Sequence, residues 1–289
     1  MLDRTRQRVA QTQRRAVALG DEQRRDHRSV DAAFEMVDRD GDIGGGIIAG
    51  ALAYRLFIWL LPLALVAVAG LGIAADAANE SPQEAADSAG LGGLVSSSIQ
   101  TTATSSGRWY ALLIGIPILV YVTRGVLRAL IGAHRLVWAQ ARAETPRPTL
   151  PATLRVLGLL LLLPIASGLA SALRAHSSGV GILGTLLVVF PYAAIWLLVM
   201  DGLPHRDAPW KALIPGALLF GVGMELLHVV LAYFLAPYAL AKQGTYGALG
   251  IAAALLFGLY LISRLVVAAA VVNATLWERR SSPEPGAAA

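Results

Sequence analysis

The sequence predicts an all-α, polytopic membrane bundle of six transmembrane helices with short surface helices. Three observations carry this expectation. Of 289 residues, 56% are hydrophobic and only 15% are charged, with a mean hydropathy of +0.59, whereas a soluble domain carries about 25% charged residues to cover its surface. Six separate apolar stretches approach or exceed the roughly 20 residues that a spanning helix needs. Lysine and arginine crowd into alternate connecting segments, as orientation in a bilayer requires.

Taken in order, residues 1–46 read as a cytoplasmic tail with nine arginines. No apolar run there is long enough for a cleaved export signal, so the first apolar segment is expected to be a retained span. Val30, Ala33, Phe34 and Val37 recur at helical spacing, which predicts a short amphipathic helix lying on the membrane surface. The glycine-rich stretch Asp38–Gly46 ends it. Span one covers Leu56–Ala75 and starts near Ile47. Span two is Trp109–Ala133, with Arg124 and Arg128 inside it, and span three is Val156–Leu173. Span four is Ser177–Met200, and span five is Lys211–Pro237, interrupted by Glu225 and His228. Span six is Gly244–Trp277, interrupted by Arg264. The transmembrane domain therefore runs over residues 47–277, and residues 278–289 read as a disordered cytoplasmic tail.

Residues 76–108 form the long outer loop. Its Ser81-Pro82-Gln83-Glu84 segment combines an N-cap, a proline at the first helical position and a capping-box glutamate, which predicts short helices over the outer face. With both termini inside, the inner segments hold 16 lysines and arginines and the outer segments three. This places the chain in the cytoplasmic (inner) membrane with cytoplasmic N- and C-termini.

The sequence offers little to enzyme chemistry. There are no cysteines, so disulfides, thiolate metal sites and cysteine nucleophiles are excluded. Asp38, Asp40 and Asp42 resemble the start of a calcium loop, but Ile43 and Ala49 stand where the loop glycine and closing glutamate belong. His27, His134, His176, His205 and His228 are too scattered for a local metal motif. No catalytic residues, metal or cofactor are expected. A nuclease needs clustered carboxylates or histidines, and nucleic acid is not an expected partner. Pro62, Pro117, Pro164, Pro191, Pro215 and Pro237 mark spans or their edges, where each frees a carbonyl and bends the helix. Gly247 and Gly250 in the Gly244-x-x-Gly247-x-x-Gly250 pattern predict a close helix-packing surface.

The intramembrane charges are more informative. A charge at the bilayer centre costs roughly 2.5–3.5 kcal/mol on insertion scales. Arg124 and Arg128 share one face of span two, and Glu225 and His228 share one face of span five. Counted from the outer ends of their spans, Arg55, Arg128 and Arg264 lie within about 3 Å in depth. Glu225 is the one acid at comparable depth, and arginine does not escape by losing its proton. Snorkelling to the inner headgroups is a second reading for Arg55 and Arg128. The sharper expectation is that Arg124, Arg128 and Arg264 converge on a cavity open to the cytoplasm. Glu225 or His228 would stand at its rim and Arg55 would be an outlying member, and the site would bind a phosphate or carboxylate group.

Several short motifs resemble a known family. Gly50-Ala51-Leu52-Ala53-Tyr54 followed by Leu61-Pro62-Leu63 resembles the first span of the YihY/BrkB family. Pro215-Gly216-Ala217, Glu225-Leu226-Leu227, Tyr246-Gly247-Ala248-Leu249-Gly250, Leu259-Tyr260-Leu261 and Asn273-Ala274 resemble its last two spans. The resemblance covers about residues 30–277 and implies a six-span inner-membrane protein with cytoplasmic termini. Val271 stands where members often carry a glutamate, so no role of that glutamate carries over. Some members bear an old ribonuclease BN label and others a virulence-factor label.

These readings lead to a transporter or lipid-handling protein for an anionic substrate. Its expected partners are membrane lipids and an anionic lipid or small anionic metabolite. The rival is a non-transporting scaffold protein of the cell envelope. A water-lined, arginine-rich cavity favours the first and a fully packed interior the second.

Overall fold

The computed structural model describes residues 28–78, 105–140, 148–176, 181–230 and 243–281. The outer-loop helices expected within 76–108, the tail before residue 28 and residues 282–289 lie outside the described residues. Seven α-helices are described: α1 (Arg28–Asp42), α2 (Gly45–Ala78), α3 (Ser105–Val137), α4 (Leu150–His176), α5 (Gly181–Asp201), α6 (Ile214–Val230) and α7 (Gln243–Ser281). A single 3-10 turn, Trp210–Leu213, leads into α6.

Five helices are long and apolar enough to cross a membrane, and α5 contributes a shorter apolar stretch, Val189–Asp201. The fold is a polytopic helical bundle, as expected. In a bilayer core every backbone donor and acceptor must be met within the protein, which long helices achieve by themselves. At 1.5 Å per residue α2 and α7 exceed the roughly 30 Å hydrocarbon thickness by a third or more. Both therefore project beyond it. Helices α2 to α7 pack in chain order, and α7 closes the ring by lying against both α2 and α6.

Several polar side chains inside the bundle join neighbouring helices, whereas Trp196 Nε1, Ser263 Oγ and Thr275 Oγ1 have no partner among the described residues. Trp59 donates its indole N–H to Thr123 Oγ1 (2.9 Å), and Thr123 in turn donates to the Leu119 carbonyl (2.7 Å), joining α2 to α3. Asn273 on α7 is fully buried. Its Oδ1 accepts the Gly216 N–H at 2.7 Å, and its Nδ2 donates to the Leu213 carbonyl at 3.1 Å. Gly216 lies in the first turn of α6, where N–H groups have no partner within the helix, so Asn273 acts as a cap supplied by another span. The closest helix approaches also fall on α6. A Cβ at Gly216 would strike the Ala269 carbonyl and the Asn273 amide, and one at Gly221 would lie 2.6 Å from the Val189 carbonyl. The packing surroundings expected of Gly247 and Gly250 lie outside the described residues.

Helix α1 extends the predicted Val30–Val37 segment at both ends. Its charged face lies against the C-terminal end of α7. Arg279 meets Asp31 (2.6 Å) and Glu35 (2.8 Å), and Arg39 meets Glu278 (2.7 Å). Arg39 also donates to the Val137 carbonyl at the end of α3 (3.0 and 2.7 Å). Phe34 and Val37 remain exposed, while Ala32 is buried. The start of α1 and the end of α7 thus share one end of the bundle.

Candidate functional site: a basic groove on the outside of the bundle

Three of the sequence-predicted arginines meet in one groove of about 300 Å³ between α2 and α3. Arg55 comes from α2, and Arg124 and Arg128 come from successive turns of α3. Tyr54 and Tyr121 flank them, and Ile58, Val122 and Gly125 complete the lining. Gly125 has a local role. A Cβ there would lie 3.1 Å from Arg55 Nη1, so the missing side chain lets the Arg55 guanidinium rest against the α3 backbone. Arg124 is steadied by donating from Nε to the Pro148 carbonyl, 3.1 Å away, just before α4. All three arginines are exposed. Among the described residues none of them forms an ion pair with a carboxylate. The arrangement presents a cluster of guanidinium donors, suited to bidentate binding of phosphate or carboxylate oxygens.

The groove does not open into the bundle. At 100° per residue its α3 members sit roughly opposite Val126 and Leu130 on the same helix, which face inward. The interior holds a different cavity of about 260 Å³, lined by residues from each of the helices α2 to α7. Leu52 and Leu63 come from α2, Leu160 from α4, Trp196 from α5, Phe220 from α6 and Ile262 from α7. Trp196 and Phe220 stack with ring centroids 4.3 Å apart. Among the described residues, no charged side chain lines this cavity.

The other predicted site residues lie elsewhere. Arg264 does not join Arg124 and Arg128. Its guanidinium forms a two-point ion pair with Asp40, Nη1 to Oδ1 at 3.0 Å and Nη2 to Oδ2 at 2.9 Å. Equal depth was the basis for grouping it with the others, but depth says nothing about direction around the helix. Arg264 points some 165° away from the α7 residues that face the interior. Its end group reaches Gly45 at the start of α2, about 15 Å along the helix from Arg55. Glu225 is buried and His228 half-buried on α6, which packs against α5 and α7. Neither lines the groove. The expected common cavity is therefore replaced by an outward groove holding Arg55, Arg124 and Arg128. Asp40, Arg39, Glu278 and Arg279 gave no sequence signal of partnership, because each pairs with a residue more than 200 positions away.

No solved structure matches the chain. A UPF0761 membrane protein of Rhodospirillum centenum is 28% identical over 149 residues, a stretch covering 48% of this chain and 33% of that relative. The chain thus spans about a third of the length of that curated relative. The sequence model described as virulence factor BrkB matches residues 41–289, a span that holds the whole bundle from the end of α1 onward, and the chain belongs to that family.

Proposed function

We propose that the protein binds and handles an anionic membrane lipid, with the headgroup held by Arg55, Arg124 and Arg128. The observation that carries this reading is the placement of the three arginines in one groove on the outward side of α2 and α3. A soluble anion crossing the bilayer would need polar groups along the bundle axis, and the interior cavity is lined by apolar and aromatic side chains. A lipid needs no such path, because its chains stay in hydrocarbon while its headgroup is recognised from the side. Exposed Leu61, Leu65, Ile114 and Ile118 lie on the same two helices further from the α1 end and supply an apolar surface for those chains.

The distribution of lysine and arginine supports an orientation in the cytoplasmic membrane with both termini in the cytoplasm. The α1 end is then cytoplasmic and the groove belongs to the inner leaflet. Among the described residues the groove offers cations and phenols, a donor set that supports binding of an anionic headgroup.

The test is native mass spectrometry after equilibration with vesicles of phosphatidylglycerol and phosphatidylethanolamine. Phosphatidylglycerol should be retained preferentially, and the Arg124→Gln, Arg128→Gln double variant should lose that preference while remaining folded. Equal retention of both lipids by the unaltered protein would overturn the reading.

A further inference from the structure

The interior cavity is a second site, separate from the groove. Its lining on α2 runs from Leu52 to Leu63, about 16 Å along the helix. That length is half the thickness of a bilayer's hydrocarbon core, the depth of one leaflet. Water is a poor occupant, since a stable buried water needs two to four polar partners. Trp59 has already given its N–H to Thr123, whereas Trp196 has no acceptor for its own among the described residues.

The ring also has a seam. Among the described residues, α3 and α4 make the sparsest contact of its six neighbouring pairs, and the cavity-lining residues Leu130 and Leu160 come from either side of it. One described polar bond, Arg124 to the Pro148 carbonyl, crosses that seam at the α1 end. We infer that the cavity accommodates one hydrocarbon chain of a membrane lipid, admitted from the bilayer between α3 and α4. The apolar lining fits the chain, the length fits a single leaflet, and the seam gives it a way in that avoids water.

Bromine on a lipid chain quenches indole fluorescence only near contact, and this supplies the test. Trp196 is 2% exposed, so lipid around the outside of the bundle does not reach it. The full-length protein is placed in nanodiscs of phosphatidylcholine with brominated or unbrominated chains. The Trp196 contribution is taken as the difference between the unaltered protein and Trp196→Phe. Most of that contribution should be lost in brominated discs. Val126→Phe, which fills the cavity from α3, should restore it, and Val266→Phe does the same from α7 should the first variant fail to fold. Trp138, fully buried but outside the cavity, should stay unquenched. Undiminished Trp196 emission in brominated discs overturns the inference. So does quenching that persists in a folded, filled variant, or quenching by water-borne acrylamide, which would mark the cavity as wet. Phosphatidylcholine carries no net charge, so the result stands apart from the anion preference of the groove.

Discussion

Arg264 grips Asp40 at two points, and Gly45 makes that grip possible. A Cβ at Gly45 would collide with the Asp40 carboxylate and lie 3.0 Å from Arg264 Nη1. Just before it, Gly44 turns the chain from α1 into α2 at a φ of +67°, a conformation that favours glycine. The glycine-rich stretch after α1 is therefore more than a break in a helix. It turns the chain and leaves room for an ion pair that ties α1 to α7.

Gly45→Ala should consequently release this end of α1 although the alanine is a better helix former. The pair is partly exposed, with side chains at 33% and 26%, so solvent screening limits its worth to about 1–2 kcal/mol. Asp40→Asn and Gly45→Ala should each raise hydrogen exchange over Arg28–Asp42 and lower the thermal midpoint modestly. The double variant should add little to either single change, since both remove the same contact. Additive effects would show that Gly45 serves something other than the ion pair.

Asn273 should prove more sensitive than any of the described ion pairs. It is buried and joins α7 to the start of α6 through both ends of its amide. Asn273→Ala leaves the buried Gly216 N–H unmet and removes a second bond to the Leu213 carbonyl, at a cost of about 2–4 kcal/mol. Gly216→Ala should cost a similar amount because its Cβ meets the Ala269 backbone. Gly132→Ala, with nothing within 4 Å, should stay within about 0.5 kcal/mol of the unaltered protein. Thermal unfolding of the three variants in one detergent gives the comparison.

What the sequence made legible follows from which forces act along the chain and which act across it. The spans were readable because insertion depends on apolar length, a local property: Lys211–Pro237 predicted α6 despite Glu225 and His228. The start of α1 was readable from Val30, Ala33, Phe34 and Val37. Direction around a helix relative to distant neighbours was not. Arg55, Arg128 and Arg264 shared a depth, yet only the first two share a groove, because α7 turns Arg264 toward α1. The close packing at Gly216 and Gly221 was hidden for the same reason: it depends on Ala269 and Val189, which are contacts of the folded ring.

Orientation can be checked directly. The 16-to-3 distribution of lysine and arginine should place a reporter fused after Ser88 outside and one fused after Thr145 in the cytoplasm. The α1 end, with Arg279 paired to Asp31 and Glu35 and Arg39 paired to Glu278, then lies at the inner headgroups. The reverse pattern at either fusion point would move the basic groove to the outer leaflet and remove the inner-leaflet assignment.

The groove can be probed without removing a charge. Gly125 is half-buried on α3, and the Arg55 guanidinium lies over it. Gly125→Leu would push Arg55 away from Arg124 and Arg128 and fill part of the roughly 300 Å³ groove, while all three cations remain. The side chain would project onto the exposed face of the α2–α3 pair, where leucine suits a lipid environment, so stability should hold or rise slightly. If headgroup recognition needs three guanidiniums at one place, preference for phosphatidylglycerol over phosphatidylethanolamine should fall by about tenfold, the equivalent of one lost charge-assisted contact at about 1.4 kcal/mol. If the arginines attract anionic lipid only through their summed charge, the preference should not change, because the net charge has not changed. Gly125→Leu therefore separates a shaped site from a diffuse positive surface, and retained selectivity in a folded Gly125→Leu protein would rule out the shaped site.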